Sequence, residues 1–204
     1  MKRTQEIFSR NQDLPSFAKG YFRYLGELLN SLDLAQLQRF ADELLRARQA
    51  GNTIFLIGNG GSASTASHMA NDLTSDALCK AEGGRPFRAM ALTESVPCMT
   101  AIANDECYDN IFVNQLKVHY RPGDKLIAIS ASGNSPNVVN AARWVKEAGG
   151  KVLGLVGFDG GKLKDICDVI ITARTPHGDY GPVEDVHVVL DHLISNWLIY
   201  KLSS

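Results

Sequence analysis

The spacing of apolar residues changes near residue 52. Before it, Phe17, Tyr21, Tyr24, Leu25, Leu28 and Leu29 recur every three or four residues, the period of a helix with one buried face. Pro15 suits the first turn of that helix. Asp33 can cap a second helix, with Gln36 placed as in a capping box. Its stripe is Leu34, Leu37, Phe40, Ala41, Leu44 and Leu45, and Gly51-Asn52 ends it. Residues 1–50 are therefore expected to form a helical extension of two long helices.

After it, short apolar runs alternate with helical patterns. The runs are Thr53–Ile57, Arg88–Leu92, Lys125–Ile129, Lys151–Val156 and Val169–Thr172. Helices are expected near 62–77, 96–120, 135–148 and 162–166, with a last one over about 183–201. Strand and helix in alternation predict an α/β fold, a parallel sheet covered on both faces with right-handed crossovers. With 204 residues and no linker or repeat, the extension should dock on the 51–204 unit as one structural domain.

Charge and cysteine content narrow the function. Lys and Arg number 21 and Asp and Glu 22, so the net charge of −1 gives no electrostatic support for nucleic-acid or membrane-surface binding. The basic start, Met-Lys-Arg-Thr-Gln, lacks the apolar core of a secretory signal. No apolar run approaches the roughly 20 residues of a bilayer span. Cys79, Cys98, Cys107 and Cys167 form no CxxC pair, which disfavours a zinc knuckle and predicts reduced thiols in a cytoplasmic protein.

Two loops carry candidate chemistry. Gly58-Asn59-Gly60-Gly61-Ser62 follows a predicted strand and opens a helix. Glycines let the backbone approach a ligand, and a helix N-terminus offers free N–H groups to an anion. The spacing is not GxGxxG, and the lysine of a P-loop is missing. Ser130-Ala131-Ser132-Gly133-Asn134-Ser135 repeats the arrangement after the third strand. One serine there is explained as a helix cap; three converging hydroxyls suit phosphate oxygens. Both loops fall at carboxyl ends of strands, where open α/β sheets bind ligands.

Histidines and carboxylates supply candidate acid–base groups. His68 and Asp72 are four apart on one helix face. Glu184, His187, Asp191 and His192 crowd the last helix. Such groups can hold a divalent metal or simply pair on solvated faces. Eight helical residues rise about 12 Å, so Glu184 and His192 share one ion only through long side chains, a non-helical Glu184 or two subunits. Glu184 with His187 is a rival pair at better spacing.

The two loops, together with His68-Met69-Ala70-Asn71-Asp72-Leu73, Ala103-Asn104-Asp105, Phe158-Asp159-Gly160-Gly161-Lys162 and Glu184-Asp185-Val186-His187, resemble in order and spacing the SIS (sugar isomerase) domain family, in its phosphoheptose isomerase branch. The resemblance implies a three-layer flavodoxin-like fold with five parallel strands, a homotetramer with active sites at subunit boundaries, and conversion of sedoheptulose 7-phosphate to a heptose 7-phosphate. It places the catalytic base at Asp72 and its partner histidine at His192. It places a metal, often zinc, at His68, Asp72, Glu184 and His192, one per subunit. Substrate contacts are implied for Asn59, Gly60, Gly61, Ser62, Asn104, Asp105, Ser130, Ser132, Asn134, Ser135 and Glu184. The chain departs from the family pattern at several positions. Asp72 stands for a Glu, Glu184 for a Gln, Ala131 for a Thr and Asp76 for an Arg, and Gly178–Pro182 replaces a stretch with Asp-Arg. Other branches of the family only sense sugar phosphates or bind a replication initiator, and these remain alternative functions.

Overall fold

The structure, a computed structural model, describes residues 1–75 and 85–203. Asp76 and Cys79 lie outside the described residues. Five strands, β1 (Thr53–Ile57), β2 (Arg88–Ala91), β3 (Lys125–Ser130), β4 (Lys151–Gly157) and β5 (Val169–Ala173), form one parallel sheet in the order β2-β1-β3-β4-β5. Strand residues alternate between two cores. Ile54, Leu56, Ile127, Ile129, Leu153 and Leu155 face one, while Phe55, Ile57, Leu126, Ala128, Val152 and Val156 face the other. Both faces are apolar in the middle of the sheet, which is why β1, β3 and β4 read as continuous apolar runs, whereas β2 at the edge is largely exposed.

The first face is covered by α2 (Leu14–Asn30), α3 (Leu34–Ala50), α4 (Gly61–Leu73) and α8 (Tyr180–Ser203). The second is covered by α5 (Val96–Asp105), α6 (Val113–His119) and α7 (Pro136–Glu147). This is the three-layer α/β fold with five parallel strands expected from the pattern.

The first quarter holds three helices, not two. The additional one, α1 (Arg3–Arg10), has only Ile7 and Phe8 as large apolar residues, too few to show a period. Asp13 caps α2, its carboxylate accepting the Ser16 N–H at 3.0 Å, and Asp33 caps α3 through Ala35 N and Gln36 N. Gln36 does not return the bond; its Oε1 accepts the N–H of Ile170 in β5 at 3.4 Å, tying α3 to the sheet.

The expected helix over 96–120 is broken. Between α5 and α6 the chain extends at Cys107 and makes a 3-10 turn at Tyr108–Asn110. Glu106 sits at the break and accepts hydrogen bonds from Asn110 Nδ2 at 2.9 Å and Asn114 Nδ2 at 2.8 Å. Side chains that bond locally in this way compete with helix continuation. The 162–166 segment is likewise a 3-10 turn, Gly161–Asp165.

Strand order decides where the two loops meet. β1 and β3 are neighbours, with Ile57 beside Ala128, although the chain runs out to β2 between them. Their following loops therefore flank the point where the winding reverses, the crevice in which doubly wound sheets take ligands.

Candidate active site

The two loops line one pocket of about 180 Å³. Asn59 and Ser62 come from the first loop and the start of α4, and Ser130, Ala131, Ser132 and Ser135 from the second. Tyr180 and Glu184 close it from the first turns of α8. Four serines and the N-terminal ends of α4 and α7 thus border one space, together with the Glu184 carboxylate and with no basic side chain among the described residues.

The loops are held by their own polar groups. Ser130 Oγ accepts the Gly133 N–H at 3.1 Å and lies 3.4 Å from Ser135 Oγ. Asn59 and Asn137 exchange reciprocal amide bonds of 2.9 and 2.8 Å, locking the first loop to α7, and Tyr108 donates to Asn59 Oδ1 at 2.9 Å. Asn134 donates to Ser132 O and accepts the Lys162 N–H, clamping the second loop to the chain after β4. Asn59 and Asn134 hence act as braces. Asn104 and Asp105 bond to each other at 2.9 Å, are exposed at the end of α5 and do not line the pocket. Gly60 is exposed beside the pocket, and Gly61 lines a second space of about 260 Å³ with Ser64, His68 and Glu184. Glu184 belongs to both spaces, its carboxylate packed so closely over Gly61 that a Cβ there would lie 2.5 Å from Oε2.

Below Glu184, α4 packs along α8. His68 Nε2 lies 3.2 Å from His192 Nε2 and 3.8 Å from Asp72 Oδ1. Asp191 joins them: one ligand-type atom from each of His68, Asp72, Asp191 and His192 falls within 4.8 Å of the others. Burial, with the charge of Asp72 second, pushes the Asp191 carboxyl up to about 6. The sequence reading brings together three members of this group, His68, Asp72 and His192. Its fourth, Glu184, stays helical and stands two turns away with its carboxylate at Gly61. Asp191 was visible in the sequence only as one of several polar residues on the last helix. The usable signal is its register: Val183, Val186, Leu190 and Ile194 are the buried stripe of α8, and Asp191 sits on it. His187 shares that stripe and is not paired with Glu184. Its Nε2 lies 3.3 Å from the Val156 carbonyl, and burial lowers its pKa to about 4, leaving a neutral ring.

Two imidazoles and two carboxylates form a donor set that suits a divalent ion such as zinc, and the cluster keeps a buried Asp191 oxygen that has no hydrogen-bond partner among the described residues and suits a cation. No helix among the described residues is long and apolar enough to cross a membrane.

Fold and site together define a doubly wound α/β protein with a serine-lined pocket at the switch point and a histidine–carboxylate cluster farther along the same two helices. The chain belongs to the SIS domain family, whose model matches residues 20–157. Within that family it is 40% identical to a phosphoheptose isomerase of Rhodospirillum rubrum over 146 residues, 72% of this chain and 75% of that one. It is 38% identical to a phosphoheptose isomerase of Mycobacterium bovis, over 86% of this chain and 87% of its relative. The solved structure of the phosphoheptose isomerase from Neisseria gonorrhoeae superposes with a TM-score of 0.81 at 29% identity, covering 91% of this chain and 98% of that one.

Proposed function

We propose that this chain is a cytoplasmic aldose–ketose isomerase that interconverts sedoheptulose 7-phosphate and a D-glycero-heptose 7-phosphate. The observation that carries this reading is a serine-lined pocket and a His68–Asp72–His192 cluster along the same pair of helices, α4 and α8. Phosphate is held by the hydroxyls of Ser62, Ser130, Ser132 and Ser135 and by N–H groups opening α4 and α7, where the helix ends favour negative charge.

Isomerisation moves one proton between adjacent carbons and one between their oxygens. Asp72 removes the proton from the carbon next to the carbonyl, giving an enediol, and returns it to the neighbouring carbon. His192 moves the proton at the oxygens. His68, four residues before Asp72, orients its carboxylate. The chemistry that a zinc ion supplies in such a donor set is polarisation of the substrate's carbonyl and hydroxyl oxygens, one of which it takes as a ligand in addition to the side chains.

Reach favours a shared site. Ser62 and Asp72 are ten residues apart on α4, about 15 Å along the axis. An extended heptose phosphate spans roughly 10 Å by ordinary bond lengths. A sugar whose phosphate sits in one chain's pocket would have to lie nearly extended to reach the Asp72 of the same chain, and a neighbouring copy, as the resemblance implies, can bring its own Asp72 closer. The assembly proposed is the homotetramer that the resemblance implies. Of the aromatic residues on α2, Phe22 is exposed, Phe17 and Tyr21 are half-buried, Phe17 against this chain's own core, and Tyr24, also expected as an interface anchor, is buried within that core. Light scattering at micromolar protein should give four subunits; a monomer would rule out the shared site.

The function is tested with sedoheptulose 7-phosphate in deuterated water. An aldose product carrying solvent deuterium at the carbon that exchanges is expected. Binding of the sugar phosphate without product or exchange would overturn catalysis and favour a sensor.

A further inference from the structure

Asp191 is fully buried in the middle of α8. Its Oδ1 accepts one long hydrogen bond, from Ser195 Oγ at 3.4 Å, and its Oδ2 has no hydrogen-bond partner among the described residues. A carboxylate withdrawn from water with half its acceptor capacity unused is costly unless a cation meets it. The groups beside it are suited to hold one. His68 and His192 are exposed, Asp72 is half-buried, and each can turn a ligand atom toward the buried oxygen.

The distances agree with a tetrahedral centre. Ligand atoms about 2.0–2.1 Å from zinc lie roughly 3.3 Å from one another. The two imidazole nitrogens, 3.2 Å apart, already span one such edge. No edge exceeds 4.8 Å, so the remaining ones close by about 1.5 Å or less. Glu184 fails the same comparison. It lies seven residues earlier on α8, about 10 Å along the axis, with its carboxylate over Gly61. Two neutral imidazoles and two carboxylates also balance a divalent charge.

We infer that Asp191, and not Glu184, is the fourth protein ligand of a divalent metal centre formed with His68, Asp72 and His192, leaving Glu184 to face the sugar. This rests on reading the cluster as a metal site, and it assigns Glu184 a substrate contact between the phosphate pocket and the reacting carbons. Glu184 is suited to that contact because it borders both spaces.

The full-length protein is stripped with chelator and titrated with cobalt and zinc. The parent should bind cobalt with the visible bands of a four-coordinate site. Asp191→Cys should add a near-ultraviolet thiolate-to-cobalt band that the parent, with its own cysteines, lacks. Asp191→Asn should weaken zinc at least about tenfold in competition with a chromophoric chelator, and Glu184→Ala, which removes every ligand atom at that position, should change it less than about threefold. Cobalt bound to Asp191→Cys without the new band overturns the assignment. So does zinc lost from Glu184→Ala but retained by Asp191→Asn. A folded parent that binds neither metal overturns the metal reading itself, while isomerase turnover, measured alongside without metal, is scored separately.

Discussion

Asp72→Asn is expected to lower turnover of sedoheptulose 7-phosphate by about 10²-fold or more while leaving sugar-phosphate affinity nearly unchanged. The amide keeps the shape of the carboxylate and can still accept a hydrogen bond, but it cannot take a proton from carbon. Asp72 is half-buried at the end of α4, well removed from the serine pocket, so the phosphate contacts should survive. Kinetics at saturating zinc, with a separate binding titration, read the two quantities independently. Unchanged turnover would remove Asp72 as the base. A parallel loss of binding would mean that its role is structural. The shared-site geometry adds a sharper expectation. Asp72→Asn chains co-expressed with chains defective in the phosphate pocket should regain part of the activity, because some boundaries then combine an intact pocket with an intact Asp72. No recovery in mixed assemblies would confine the site to one chain.

Gly133→Ala should damage that pocket more than loss of any one hydroxyl. Gly133 has φ 63°, and an added Cβ would run into the carbonyl of Gly160. A side chain in the left-handed region costs roughly 1–2 kcal/mol. The collision is with backbone, which cannot turn aside as a side chain can. The second loop and the loop after β4 must then separate, breaking the bond from Leu163 N to Gly133 O and the Asn134 clamp. A total near 2 kcal/mol or more lowers the melting temperature of a chain this size by about 4–8 °C, and sugar-phosphate affinity should fall more than tenfold. The cost would be local, since β3 and β4 stay paired from Lys125 to Ser130 and core packing below is untouched. A variant with the parent's melting temperature and affinity would show that the loop tolerates a different path.

Much of the fold was legible in the residue pattern because β1, β3 and β4 are buried on both faces and most helices bury one face. Runs of Ile, Leu and Val marked β1, β3, β4 and β5 nearly to the residue, while β2, Arg-Ala-Met-Ala at the sheet edge, gave a weaker run. Capping by Asp33 and the left-handed Gly51 bounded α3 for reasons local to a few residues. Local chemistry also located the two loops, since glycine and serine after an apolar run make a strand-to-helix turn wherever it occurs. Where the pattern misled, a side chain made a bond that periodicity does not report. Glu106 gathers Asn110 and Asn114 and interrupts a stretch that reads as one helix, and Gln36 leaves its cap to join β5.

The sequence by itself thus determined the elements, the α/β class and the identity of most polar groups that could do chemistry. Only the tertiary structure decided which of them meet. The adjacency of β1 and β3 brings two loops about 70 residues apart in the chain into one pocket. The packing of α4 along α8 sets His68 against His192 across 124 positions. It also buries Asp191 beside them, turns His187 to a sheet carbonyl and leaves Glu184 at the pocket mouth. Helical spacing tells which residues share a face of one helix. The rotation of that face against its neighbour is chosen by the apolar stripe as a whole, and the polar residues go where that packing carries them.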